Sequence, residues 1–334
     1  MPHRDVVVIG ASSGGVEGLI TLLTGLPDDL AAAIFVVLHV RPDLPSQLPA
    51  ILNRVGTIPA AHAVDGEPIR RGRVYIAPPG LQTSLHRGRI GVRRGPQENM
   101  HRPAIDPLFR TAAHHYGPRV IGIIMSGALN DGTAGLAAIK RTGGLAIVQD
   151  PEDALVRDMP LNAMQRAGAD HIAPIVDMPR LLIDLISQET GTDLAAEVPL
   201  ETAEEAGPKE PFLRSEEAGT LANVTCPECQ GNLWEVRDTT GIRYRCRVGH
   251  AYSEAAIDAA QSQSVERALW SALKALEERV ALTRRLAAEA RTRGHEVIAA
   301  MFEERSQTVD NDVRAIHELI TSSETLEPVG QEGI

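Results

Sequence analysis

Along the first half of the chain, short runs of β-branched and other apolar residues alternate with stretches whose apolar positions recur at helical spacing. DVVVIG, AIFVVLH, RVYIAPPG, RVIGIIMSG and LAIVQDP are the strand candidates, and SLHRGRIGVRRG reads as a local hairpin. Strands alternating with amphipathic helices predict an α/β fold over residues 1–187: a doubly wound, mostly parallel, Rossmann-like sheet. In the first run, Val6, Val7, Val8 and Ile9 lead into GASSG, so a buried strand turns sharply into a helix.

Beyond residue 222 the pattern changes. A compact segment from Val224 to Tyr252 holds all three cysteines of the chain. The pattern then becomes wholly helical. From Ser262 to Arg291, Val265, Leu269, Leu273, Leu276, Val280 and Leu286 recur near helical spacing; Arg293-Gly294 interrupts, and Ile298, Met301, Phe302, Val309, Val313, Ile316 and Leu319 follow. This predicts a helical hairpin over 256–322, followed by a tail at 323–334. The stripe suits an intramolecular pair, and a homodimer joined through these helices suits it too, because spacing alone does not name the partner.

Composition adds a boundary. The 334 residues carry a formal net charge of −11, with 43% hydrophobic and 23% charged residues, ordinary values for a globular protein. Between Gln188 and Ala222, nine acidic residues face two basic ones among prolines, glycines, serines and threonines. An acidic linker is therefore expected at 188–222. No apolar run approaches the roughly 20 residues of a membrane span, and the amino terminus has no signal-peptide pattern. The expected location is cytoplasmic, without membrane insertion.

Candidate chemistry gathers at strand ends. Ser12 lies in the Gly-x-Ser-x-Gly pattern at the carboxyl end of the first strand, the edge where open α/β sheets bind ligands. A serine hydroxyl needs a histidine base, and that base needs an orienting carboxylate. His39 ends the second strand, and Asp131 stands in the turn after IGIIMSG. Structural roles fit these residues as well: Ser12 as a helix cap, His39 as a solvent-facing strand end, Asp131 as the N-cap of the following helix. His62, His86, His101, His114, His115 and His171 lie in loops or on helices and are weaker candidates for the base. A dinucleotide site is disfavoured, because Gly10 is followed by Ala11 and Ser12 rather than by x-Gly-x-x-Gly, and His39 stands where an acidic residue would close the second strand.

VIGASSGGVEGL, FVVLHVRPDLPSQL, VYIAPPG, IDPLFRTAA, IGIIMSGALNDGTAGL and VQDPEDALVRDMPLNA together resemble the catalytic domain of the chemotaxis protein-glutamate methylesterases, from about Asp5 to Ile186. The resemblance places the family's catalytic serine on Ser12, its histidine on His39 and its aspartate on Asp131. It implies hydrolysis of glutamate γ-methyl esters on a methylated, helical chemoreceptor-type protein, with release of methanol; glutamine deamidation is a related activity. No cofactor is implied for catalysis. Backbone N–H groups around Ser13, Gly14 and Gly15, and in the 126–130 loop at Ala128, are the expected oxyanion donors. The family usually has Met-Gly where this chain has Ala128-Leu129. Its members usually also carry an amino-terminal receiver domain, and control by an attached receiver is not expected here.

Cys226-x2-Cys229 and Cys246-x3-His250 put two pairs of soft ligands on tight turns around a probable hairpin, WEVRDTTGIRYR. This spacing predicts a zinc ribbon at 223–255 with a closed, structural Zn²⁺ site. Disulfides are the competing account, but three cysteines leave one unpaired. Arg237, Arg243, Arg245 and Arg247 make the segment locally basic, but with no longer basic tract they argue for docking rather than nucleic acid. The alternative to an enzyme is a non-catalytic signalling adaptor that uses the esterase fold and the ribbon for protein docking.

Overall fold

A computed structural model describes residues 3–188 and 219–323. The chain divides into two compact units near residue 257. Most of the acidic linker and the tail from 324 onward lie outside the described residues.

The first unit is built on seven strands: β1 (Val6–Ala11), β2 (Ala33–Leu38), β3 (Ala60–His62), β4 (Arg73–Ile76), β7 (Val120–Ile124), β8 (Leu145–Gln149) and β9 (His171–Ala173). They lie in the order β3-β4-β2-β1-β7-β8-β9, and every pairing is parallel. Parallel strands covered on both sides read as unbroken apolar runs, because successive side chains enter opposite cores. Along β1, Val6 and Val8 join one core and Val7 and Ile9 the other. Helices α1 (Gly15–Thr24), α2 (Leu48–Val55) and α6 (Met178–Ser187) cover one face through Leu19, Leu22, Leu52 and Leu182. The other face is covered by α3 (Ile105–Tyr116) and α4 (Thr133–Arg141) through Leu108, Phe109 and Leu136. A short helix α5 (Asp158–Asn162) continues as a π turn over Ala163–Ala167.

The five expected strands are present, as is the hairpin, formed by β5 (Gln82–His86) and β6 (Arg89–Arg93). Two edge strands escaped sequence analysis: β3 and β9 have three residues each, too few to show a period. At the amino ends of the strands, buried Asp5 is gripped by Arg71 and Arg119. Those ion pairs fasten the sheet at the amino ends of its strands.

Four antiparallel strands, β10 (Thr220–Thr225), β11 (Asn232–Asp238), β12 (Gly241–Cys246) and β13 (Ala251–Ser253), form a second sheet in the same unit. β10 begins inside the span expected to be linker. β13 is tied to the first sheet's body: the Asn99 N–H donates to the Ala251 carbonyl at 2.7 Å, and the Ala251 N–H to that of Gln97 at 3.3 Å.

The second unit consists of the rest of α7 (Glu254–Thr292) and α8 (Glu296–Ser323), with Gly294 at φ 76° in the turn. The break falls where the sequence places it. Burial follows a narrower seam than the expected stripe: Leu273, Val280 and Ala287, seven residues apart, are buried with Ala290, Ala299, Val309 and Ile320, while Val265, Ile298, Met301 and Leu319 are exposed. Seven-residue spacing keeps a seam on one side of a helix pair, and a residue off that register turns outward.

Candidate functional site

The parallel register fixes where the three strand-end groups meet. Ala11 pairs with Leu38, and the His39 N–H donates to the Ala11 carbonyl at 3.0 Å, so Ser12 and His39 leave neighbouring strands one step further on. On its other side, the Ser12 N–H donates to the Ser126 carbonyl at 2.9 Å. Ser12 therefore stands at the point where strand order runs outward in both directions from β1, the crevice in which open α/β sheets bind ligands.

Small residues make room for it. The Gly15 N–H closes a turn on the Ser12 carbonyl at 2.9 Å, and Gly14, at φ 79° and ψ 0°, takes the left-handed third position of a type II turn. A Cβ on Gly127 would lie 2.7 Å from the Ser12 Cβ. The Ser126 hydroxyl locks the turn from below by donating to the Ser13 carbonyl at 2.7 Å. Ser12 is half-buried.

His39 and Asp131 are joined. The His39 Nε2–H donates to Asp131 Oδ2 at 2.9 Å, with side chains only 4% and 2% exposed. The other ring nitrogen, Nδ1, is buried and has no hydrogen-bond partner among the described residues. No hydrogen bond links it to the Ser12 hydroxyl. The His101 ring stacks on His39 with centroids 3.5 Å apart and an interplanar angle of 11°. Burial, helped by the adjacent His39, pushes the His101 imidazole down to about 4, so a neutral ring walls one face of the site.

Asp131 accepts from several donors. Besides His39, the Ile105 N–H reaches Oδ2 at 2.7 Å, while Asn99 Nδ2 and the Gly132 N–H reach Oδ1 at 2.9 and 3.0 Å. Burial alone would raise this carboxyl, but the hydrogen bond and charge of His39, the neighbouring His101 and the Ile105 N–H outweigh it. Asp131 is held well below the ordinary carboxylate range. It does not cap the helix that follows it: Gly132 is the N-cap of α4, and the carboxylate turns instead to the amino end of α3.

Of the expected oxyanion donors, Gly15 is spent on the Ser12 turn and is not available. The N–H groups of Ser13, Gly14 and Ala128 donate to no acceptor among the described residues. Leu129 takes φ 61°, the left-handed conformation that glycine adopts without cost. The Asn162 side chain holds its carbonyl at 3.0 Å.

No motif marks Asn99, and Asp106 lies within IDPLFRTAA with nothing local to single it out. The two Nδ2 hydrogens of Asn99 bridge Asp106 and Asp131, at 3.0 and 2.9 Å. Asn99 itself has φ 49°. A polar residue in a loop gives no signal of such a role until the fold brings two carboxylates to it.

In the small sheet, Cys226, Cys229, Cys246 and His250 bring their ligand atoms within 4.8 Å of one another. Cys229 and Cys246 Sγ are 3.7 Å apart, and His250 Nδ1 is 3.6 and 3.5 Å from the Cys226 and Cys246 sulfurs. These four residues can hold a metal ion. Zn–S and Zn–N bonds of about 2.3 and 2.0–2.1 Å make tetrahedral edges of roughly 3.8 and 3.5 Å, close to the separations seen.

Residues 7–182 match the family model described as CheB methylesterase. The chain is 37% identical over 181 residues to protein-glutamate methylesterase/protein-glutamine glutaminase 2 of Anaeromyxobacter dehalogenans, covering 54% of this chain and 53% of that protein. Against a putative protein-glutamate methylesterase/protein-glutamine glutaminase of Leptospira interrogans, identity is 35% over 184 residues, covering 55% and 95%. The fold matches the crystal structure of the Thermotoga maritima CheB methylesterase catalytic domain with a TM-score of 0.53 and 32% identity, covering 55% of this chain and all of that one. The chain spans about half the length of the Anaeromyxobacter relative, and the matched part ends before the ribbon and the helices. With residues 7–182 matching the family in sequence and the parallel sheet matching it in fold, the chain belongs to the CheB methylesterase family.

Proposed function

We propose that the crevice hydrolyses glutamate γ-methyl esters on a methylated, chemoreceptor-type helical protein, with deamidation of glutamine as a related reaction. The observation that carries this reading is the buried His39–Asp131 hydrogen bond at the strand end next to half-buried Ser12. Ser12 Oγ attacks the ester carbonyl and passes its proton to His39 Nδ1, the nitrogen without a partner. The resulting imidazolium is stabilised through Nε2–H by Asp131, which stays ionised. The tetrahedral oxyanion is held by the N–H groups of Ser13, Gly14 and Ala128. His39 then returns its proton to the departing methoxide, methanol leaves, and water repeats the cycle on the acyl-serine. No step needs a cofactor.

Cys226, Cys229, Cys246 and His250 would hold a structural Zn²⁺. Four protein ligands close the site, so the ion supplies folding energy and no open position for substrate. Among the described residues no helix is long and apolar enough to cross a membrane, and a cytoplasmic enzyme acting on the internal part of a receptor accords with this. The exposed apolar residues of α7 and α8 suit a homodimer. The test is methanol release from a methylated receptor fragment by the full chain and by Ser12→Ala. Release by the wild type alone supports the serine mechanism, and equal release by both removes it.

A further inference from the structure

The ribbon reaches the carboxylates behind the triad. From β12, the largely buried Arg243 guanidinium, its side chain 14% exposed, donates to Asp106 Oδ2 at 2.8 Å and lies 3.6 Å from Glu98 Oε2. From the end of β13, the Ser253 N–H donates to Asn99 Oδ1 at 2.9 Å, and the Ser253 hydroxyl to Asn130 Oδ1 at 2.6 Å. The Asn99 amide is thus fully used: its oxygen is held by the ribbon, and its two hydrogens by Asp106 and Asp131. Asn130 immediately precedes Asp131, so the ribbon holds this loop directly at Asn130 and reaches Asp131 through Asn99.

The electrostatics require such a grip. Asp106 and Asp131 are both buried and share one amide, and two carboxylates so placed compete to shed their charge. Burial pushes the Asp106 carboxyl up, Arg243 opposes that, and Asp131 adds to it. The charged groups facing the pair are Arg243 from β12, Arg110 from α3, Glu98 from the preceding loop, and His39 and His101 on the crevice side. Arg110 is committed to Glu98 by a bidentate pair at 3.0 and 2.8 Å. Arg243 is therefore the cation that compensates Asp106 directly.

We propose that Arg243 and Asn99 are positioning residues for the esterase reaction: the metal-binding ribbon, through Asp106, keeps Asp131 ionised and aimed at His39. This rests on the triad reading above. The ribbon would then be part of the active site's support rather than an appended docking module, with the reaction chemistry left to Ser12, His39 and Asp131.

The test uses the full-length, metal-loaded chain and two readouts. One is the pH profile of kcat/KM for methanol release. The other needs no substrate: the downfield proton resonance of the His39–Asp131 hydrogen bond, assigned by its loss in Asp131→Asn. Removing the cation strengthens proton binding by the carboxylate pair. Arg243→Ala should therefore move the acid limb to higher pH by about one unit and lower kcat by about tenfold or more with KM little changed. The bridging proton should move upfield while metal content stays at one per chain. Arg243→Lys should restore part of each effect, because a point charge replaces part of the guanidinium's role. If Arg243→Ala does not fold, Asn99→Gly decides on the same readouts, since glycine accepts the positive φ while the amide's bonds to Ser253, Asp106 and Asp131 are lost together. Wild-type limb position and proton resonance in the folded variant would overturn the proposal. Equal methanol release by wild type and Ser12→Ala would instead sink the triad reading, and the proton resonance would still show whether the ribbon controls Asp131.

Discussion

The crevice and the ribbon bring side chains together by opposite means. In the ribbon, four ligands come from two turns, 226–229 and 246–250, and a single hairpin brings the turns together. In the crevice, His39 and Asp131 stand 92 positions apart and meet only because β2, β1 and β7 are neighbours in register. A local constellation can be identified from spacing. A distant one depends on sheet order, which no short stretch of sequence contains. The ribbon's four ligand atoms lie within 4.8 Å of one another, whereas Ser12 stands half-buried at a strand end beside the His39–Asp131 pair. One geometry suits an ion held for stability and the other a substrate that must leave.

The sharpest way to break this contrast is Ser12→Ala. It should lower esterase turnover by at least ~10⁴-fold while leaving metal content and melting behaviour unchanged, as assays of methanol release, metal analysis and calorimetry would show. Loss of metal along with activity would mean that the two sites are not separable in this direction.

Metal removal probes the other region. The ribbon's small core, with Leu233, Tyr252 and Ala222 among its buried residues, is too little to hold four strands by itself. Structural zinc contributes on the order of 10 kcal/mol in small metal-dependent folds. Chelation should therefore open 219–253 to protease and expose three titratable thiols, while the parallel sheet of 3–188 stays protected. Resistance of the ribbon to protease after verified metal loss would argue against a structural ion.

A smaller effect comes from pH. In the folded protein the His101 imidazole titrates at about 4, against an ordinary value of 6.5. Between these two values the unfolded chain carries a proton that the folded one does not, so stability falls as pH drops from 6.5 and levels out below about 4. The span is worth up to about 3 kcal/mol. His115, also pushed down to about 4 by burial, adds a slope of the same sign. Urea unfolding at pH 7 and pH 4.5 should show the loss, and His101→Gln should reduce it. Asp131 acts in a lower window: its folded value is depressed, so its contribution is full above the ordinary carboxylate range and is lost only as pH falls below it.

The smallest expected effect lies at the rim. Leu129 at φ 61° carries a left-handed strain of about 1–2 kcal/mol, which Leu129→Gly relieves at an entropic cost of about 0.5–1 kcal/mol. A net gain of about 0.5 kcal/mol in thermal unfolding is expected, with the Ala128 N–H kept in place. A loss of stability would mean that the half-buried leucine side chain contributes more than the strain costs.

Much of the fold was legible because β-branched runs buried on both faces need no context to be recognised as strands, and Gly294 marks the helical break outright. Edge strands β3 and β9 were not, because three residues carry no period. Within the site, Ser12, His39 and Asp131 could be named from strand ends and from the family resemblance, but Gly15 could not be removed from the oxyanion donors until the turn was seen to consume its N–H. His101, set aside as a loop histidine, stacks on His39. Asn99 and Arg243 carry no motif at all. They matter through what surrounds them.

By itself, the sequence determined the α/β architecture and the family, and it named the four residues that the fold groups closely enough to hold a metal ion, because periodicity, turn chemistry and short spacing are written within a few consecutive positions. The tertiary structure alone decided which nitrogen of His39 faces Asp131, which N–H groups remain to receive an oxyanion, and that a ribbon more than 100 residues further along the chain supports Asp106 and Asn99. Those outcomes depend on burial and on the competition among buried charges. Both are properties of neighbours in space rather than in sequence.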